Sequence, residues 1–316
     1  MATRRDVRLL GAIFFVIFVC FAAVRCAAAP QALADVYAYD HAAPLNARVD
    51  TAAESGAYTV YHVAFDSVNG ERVPGDLYMP PGEGARPCVI IQHGYGGDKS
   101  MAAMFAALFA PEGYAVMAID AQYHGARRQE GKDVLSTDAA DNERAFRQSI
   151  LDLMRTVDYL ETRDDIDTGR MGFVGMSMGS FFGAVFTGVD KRVNTAVLIV
   201  GGGDWAQFME TSQVPPVVGI RGFCEQTGAP LAGFSDAMST VEPLSFIDGL
   251  SPRPLLMINC SDDIFVPAPT AQALFDAAGE PKYLEWLKCG GGVGHIPPVA
   301  KTRSMLKKWF NKQFSQ

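Results

Sequence analysis

The pentapeptide Gly175-Met176-Ser177-Met178-Gly179 carries the sharpest chemical signal in the chain. A serine hydroxyl is a poor nucleophile until a base takes its proton. A G-x-S-x-G segment is how a tight strand-to-helix turn holds such a serine clear of the sheet, with small residues on both sides of a crowded bend. Alone the pattern is weak. Here the apolar run Met171 to Val174 precedes it and the helix-favouring run Met178 to Gly188 follows, which weighs against a serine that merely caps an ordinary helix.

In a strand–turn–helix setting of this kind the partners follow in the order serine, acid, histidine. Of the five histidines, His41, His62, His93 and His124 precede Ser177, so His295 is the only candidate base after it, in the glycine-rich stretch Gly290 to Gly294. The acid must end a strand, accept the histidine's second N–H and stay ionised. Asp262 and Asp263 both follow the apolar run Leu255 to Asn259. Two backbone N–H groups must receive the developing oxyanion. Met178, directly after the serine, offers one, and Tyr95 in His93-Gly94-Tyr95-Gly96-Gly97 offers the other. His93 is expected to brace that loop, and Asp120 and His124 to structure the next one. Arg127-Arg128 could bind an anion, although exposed arginines are usually just solvated.

These residues need a scaffold that brings strand ends together. Strands are predicted at Tyr58 to Phe65 and Arg72 to Met79, a hairpin around Asn69-Gly70, and then at Cys88 to Ile91, Tyr114 to Ile119, Met171 to Val174, Ala196 to Val200, Leu255 to Asn259 and Lys282 to Leu287. Helices are predicted at Met101 to Ala110, Glu143 to Glu161, Met178 to Gly188, Pro269 to Ala278 and Pro298 to Phe310. Alternation of this kind specifies an α/β fold, a mostly parallel central sheet with helices on both faces. The rhythm breaks between Gly201 and Ser251, a Gly-, Pro- and Met-rich interval read as a small lid insertion with short helical fragments at best. Its Trp205, Phe208, Met209 and Phe223 are the candidate substrate-pocket residues.

The organisation expected is a signal peptide over 1–34, a lead-in over 35–57 and one domain over 58–316. Arg4, Arg5 and Arg8 before the apolar run Leu9 to Val24, with Ala32-Leu33-Ala34 as a small-x-small site, read as an export signal; an uncleaved membrane anchor at residues 9–24 is the alternative. The expected location is periplasmic or secreted. A net charge of −8 repels nucleic-acid phosphates, so no nucleic-acid partner is expected. No CxxC or HExxH motif recommends a metal. No cofactor is expected either.

The chain from Tyr58 onward resembles the dienelactone hydrolase and acetyl-esterase-like branch of the α/β-hydrolase superfamily. The resemblance rests on His93 to Gly97, Asp120 with His124-Gly125, Gly175 to Gly179, Asp263-Ile264-Phe265-Val266-Pro267, and Gly294-His295. It implies an α/β-hydrolase fold, and it selects Asp263, three places before Val-Pro, as the acid. Where relatives carry His-Gly before the acid, this chain has Asn259-Cys260-Ser261, and the nucleophile is not the cysteine of true dienelactone hydrolases. The resemblance therefore implies hydrolysis of small acyl or acetyl esters through an acyl-serine, with a small-molecule ester as partner. A dipeptidyl-peptidase-like enzyme and a non-catalytic binding protein on the same fold are the alternatives. Four cysteines, Cys88, Cys224, Cys260 and Cys289, remain beyond the signal and allow three full pairings. Cys260 and Cys289 end two strands expected to be parallel neighbours, close enough for a bond between the candidate acid and base loops.

Overall fold

The computed structural model describes Leu33 and residues 35–315, which divide into two units at Ala38 and Tyr39. The described part of the first holds a 3-10 turn at Asp35–Tyr37, and the expected signal otherwise lies outside the described residues. Among the described residues no helix is long and apolar enough to cross a membrane.

The second unit is built on a nine-stranded sheet in the order β1-β2-β3-β5-β4-β6-β7-β8-β9. β2 (Thr59–Asp66) and β3 (Arg72–Met79) form the expected hairpin, and β3 pairs antiparallel with β5 (Ala115–Ile119). From β5 onward the sheet is parallel: β4 (Arg86–Gln92), β6 (Ile166–Met176), β7 (Thr195–Ile199), β8 (Leu255–Cys260) and β9 (Lys282–Leu287). The expected lead-in is corrected in one respect, because β1 (Arg48–Glu54) adds to the edge of the sheet against β2. All seven of its residues are exposed, so no burial pattern marked it as a strand.

Helices α1 (Ala102–Phe109) and α8 (Val299–Phe314) cover one face, where Phe105, Phe109, Phe310 and Phe314 meet Val89, Ile91, Val116 and Val174. α2 (Ala139–Glu161) and α3 (Met178–Val189) belong to the other side, joined by an edge-to-face contact of Phe146 and Phe182 at 4.8 Å. α2 begins where the Asp138 carboxylate accepts the Asp141 N–H, which satisfies one of the free amides of its first turn. The interval 201–251 is more helical than expected. It holds α4 (Trp205–Thr211), α5 (Pro215–Thr227) and α6 (Ala232–Ala237) before a series of 3-10 turns. α5 runs 13 residues despite three glycine and proline positions in its first half, because Pro215 and Pro216 stand in its first turn, where no N–H is needed. α7 (Ala268–Ala277) completes the set.

The chain passes from β4 to β5 on one side and then crosses to β6 on the other. Loops leaving the C-terminal ends of β4 and β6 therefore part, and the crevice between them is where an open α/β sheet takes its ligand. The loop His93 to Gly97 leaves β4 there, and Ser177 leaves β6.

Candidate active site

Ser177 sits at φ 53°, ψ −117°, a conformation few non-glycine residues adopt. Its N–H donates to the Ile199 carbonyl at 2.8 Å. The glycines around it are dictated by space. A Cβ on Gly175 would stand 2.3 Å from the Gly179 carbonyl oxygen, and one on Gly179 2.3 Å from that of Gln92. Only hydrogen at both positions lets α3 start directly against β4 and β6.

His295 arrives from beyond β9. Its Nε2 lies 2.9 Å from Ser177 Oγ and its Nδ1 2.6 Å from Asp263 Oδ2. With Nδ1 donating to the carboxylate, Nε2 is left to accept the serine proton. Asp263 is buried, and its second oxygen accepts the N–H groups of Phe265 at 2.8 Å and Val266 at 3.0 Å. Asp262 is exposed, with Ser261 Oγ at 3.3 Å. The two loops are locked together. Ile264 N–H donates to Val293 O at 3.1 Å, and Gly294, at φ +70°, lies so close that a Cβ would stand 2.1 Å from the Asp262 carbonyl oxygen. Cys260 and Cys289 are disulfide-bonded at the base of the same loops, with Cα atoms 5.6 Å apart, while Cys88 and Cys224 are free and buried.

On the opposite side of the serine, a Cβ at Gly94 would meet Ser177 Cβ at 3.3 Å, so the loop after β4 lies against Ser177. His93 braces it: Nε2 accepts the Ala121 N–H at 3.1 Å, and Nδ1 donates to Gly94 O at 2.9 Å. Burial pushes the imidazole down to about 4, consistent with that neutral tautomer. Asp120 is fully buried and accepts the N–H groups of Lys99 at 2.8 Å and Ala126 at 2.9 Å, and His124 donates to Gln122 O at 2.8 Å. Both structure the loop as expected. Arg127 differs from the exposed, solvated arginine expected: it is buried and pairs with Asp152 at 2.5 Å and Glu71 at 3.0 Å, so it is committed to structure. Arg128 is exposed.

Ser177, Met178 and Tyr95 open on a cavity of about 30 Å³, walled by Leu135, Phe146, Phe181, Trp205, Phe208, Val214, Phe265 and Val266. Trp205 and Phe208, two of the four candidate pocket residues, line it. Met209 and Phe223 do not. Met209, one residue beyond Phe208, faces a different direction on α4 and is fully buried, and Phe223 is exposed on α5. Phe181 was missed, since nothing in the sequence sets it apart from the other apolar residues of α3 that pack into the core. Glu242 was missed too. Its carboxylate accepts the N–H groups of Asp204 at 2.9 Å, Trp205 at 2.8 Å and Leu244 at 3.1 Å, fixing the start of α4 and with it the indole; burial raises its pKa above the usual carboxylate value.

A parallel sheet with a strained serine between strand and helix, facing a histidine and a buried carboxylate, defines an α/β hydrolase of the serine type. The acetyl xylan esterase (AXE1) family model matches residues 31–201, more than half of the chain, and the chain belongs to that family. The matched residues include Tyr95 and Ser177 and end before Asp263 and His295. The esterase YjfP of Escherichia coli K12 is 28% identical over 224 residues, covering 68% of this chain and 84% of that protein. Two solved structures are similar in fold. They are an acetyl xylan esterase from Paenibacillus sp. R4, with TM-score 0.75, 20% identity and 90% and 92% of the two chains covered, and acetyl xylan esterase 1 from Thermoanaerobacterium sp. JW/SL YS485, with TM-score 0.74, 17% identity and 90% and 94% covered. The protein is a carboxylic ester hydrolase acting on small acyl esters.

Proposed function

We propose that this enzyme removes acetyl groups from hydroxyl-bearing molecules, carbohydrates foremost, with Ser177 as nucleophile, His295 as base and Asp263 as the acid that orients it. The observation that carries the reading is the unbroken hydrogen-bond chain from Asp263 through His295 to Ser177, opening on a cavity of about 30 Å³. A buried water needs roughly 10–15 Å³ measured this way, so the cavity has room for an acetyl group and not for a long acyl chain.

Ser177 Oγ attacks the ester carbonyl carbon while its proton passes to His295 Nε2. The carbonyl oxygen becomes an oxyanion received by the N–H groups of Tyr95 and Met178, the second at the positive end of α3. The bond from carbonyl carbon to alcohol oxygen breaks, and that oxygen leaves with the proton from His295. Water then repeats the sequence on the acyl-serine, giving its proton to His295 and releasing the carboxylate. Asp263 remains a carboxylate throughout and stabilises the imidazolium. The basic residues and apolar run before residue 25 support export, and membership of the acetyl xylan esterase family supports a polysaccharide as the acetyl carrier.

A panel of p-nitrophenyl acetate, butanoate and octanoate, acetylated xylan and a dipeptide amide tests the reading. Wild type is expected to prefer acetate, and Ser177→Ala to lose several orders of magnitude in kcat with an unchanged melting temperature. Activity of Ser177→Ala within tenfold of wild type, or cleavage of the peptide alone, overturns it.

A further inference from the structure

Asp133 belongs to neither the elbow nor the acid and base loops, yet it holds both sides of the acyl cavity at once. Its Oδ2 accepts the Tyr95 hydroxyl at 2.5 Å, and its Oδ1 accepts the Leu135 N–H at 3.0 Å. Tyr95 and Leu135 both wall the cavity at Ser177. Tyr95 also walls a second, polar cavity of about 350 Å³, together with Tyr123, His124, Arg128, Lys132 and Asp133 itself. Tyr95 therefore stands between a small apolar chamber and a roomy polar cleft, lining both. His124 touches that ring edge-on at 5.7 Å, but 37% of Tyr95 is exposed. The bond to Asp133 is what fixes its outer end, 38 residues away in sequence.

We propose that Asp133 is a specificity-determining residue. It keeps the Tyr95 partition closed, limits the acyl group to a short one, and through the same side chain positions the loop that offers the Tyr95 N–H to the oxyanion. The proposal rests on the reading of Ser177 as nucleophile, since the cavity matters only if the acyl group is bound there. When the tether is cut the ring is free to swing into the polar cleft, and the chamber gains depth along the acyl chain. A methylene accommodated or refused in an apolar pocket changes kcat/KM by about tenfold or more, which sets the scale expected.

The experiment measures kcat and KM for p-nitrophenyl acetate, butanoate and hexanoate with wild type, Asp133→Ala, Asp133→Asn, Tyr95→Phe and the Asp133→Ala/Tyr95→Phe double variant. Tyr95→Phe keeps the ring and the backbone N–H and removes only the tether, so it stays informative if Asp133→Ala folds poorly. In Asp133→Ala and Tyr95→Phe alike, the ratio of kcat/KM for hexanoate to that for acetate is expected to rise about tenfold. kcat on acetate should fall more than KM rises, as the oxyanion loop loosens. The double variant should go no further than either single one, and Asp133→Asn, which still offers an acceptor oxygen, should stay near wild type. An unmoved chain-length ratio in Tyr95→Phe, or effects that multiply in the double variant, overturns the proposal. If Ser177→Ala is inactive while the ratio stays unmoved, only the role of Asp133 falls; if Ser177→Ala is active, the nucleophile assignment falls first.

Discussion

Cutting the bond between Cys260 and Cys289 tests whether the acid and base loops are held by a covalent staple or by their own packing. Alanine is the replacement of choice at both positions, because Cys260 is buried and a serine hydroxyl there would lack water. The two cysteines are separated by 29 residues, and closing a loop of that length removes about 12 cal/mol/K of chain entropy from the unfolded state, or ~3.5 kcal/mol at 25 °C. For a domain of this size about 2 °C of melting temperature accompanies each kcal/mol, so Cys260→Ala/Cys289→Ala should melt ~7 °C below wild type. Its kcat at 25 °C should stay within about tenfold, because Ser261 N–H still donates to Leu287 O at 3.0 Å, Ile264 N–H to Val293 O at 3.1 Å and Gly290 N–H to Ile296 O at 3.0 Å. Circular-dichroism melts of the oxidised wild type and the double variant, run beside acetate-ester assays, read both quantities. A melting temperature within 1 °C of wild type would refute the entropic account. A thousandfold loss of kcat in a folded double variant would refute the claim that the packing alone keeps His295 on Asp263.

Two further outcomes follow from the site. Asp263→Asn, which presents an amide to His295 Nδ1, should lose about 10⁴ in kcat, whereas Asp262→Asn, exposed and outside the hydrogen-bond chain, should stay within tenfold; equal losses would detach the acid role from Asp263. His93 is held near 4 when folded against an ordinary 6.5, so between those values the unfolded chain takes up a proton that the folded chain refuses. Its contribution is complete above 6.5 and is lost as the pH falls toward 4, by up to about 3 kcal/mol, and a urea midpoint that drops no more steeply for wild type than for His93→Gln would contradict it.

What could be read from the amino acids alone follows how local the governing physics is. The elbow was legible because its serine and glycines fall within five residues, although only Gly175 must clear a neighbour inside that stretch, Gly179, while Gly179 must clear Gln92 on β4. The parallel strands were legible because burial on both faces writes itself as unbroken runs such as Cys88 to Ile91. β1 was not, since Arg-Val-Asp-Thr-Ala-Ala-Glu lies exposed along its whole length and is held by backbone pairing to β2, which any side chains permit. Likewise Arg127 reads as a surface charge until Asp152 and Glu71, 25 and 56 residues away, close on it.

The pocket shows where locality ends. Ser177, His295 and Asp263 could be proposed from the sequence because the role proposed for each restricts its residue type and fixes its order along the chain. A wall residue has neither restriction. Leu135, Phe146, Phe181 and Val266 come from four different segments, and any of them could have packed into the interior with the same apolar side chain, as Met209 does. Even Trp205 reaches the cavity only because Glu242, 37 residues on, caps the start of its helix, and because the indole N–H donates to Val241 O at 3.1 Å. The reaction type therefore resides in a handful of residues whose spacing can be read. The size of the acyl group it accepts resides in contacts between distant segments, and on the reading proposed above Tyr95 belongs to both groups: its N–H would receive the oxyanion, and its hydroxyl, bonded to Asp133, would set the wall.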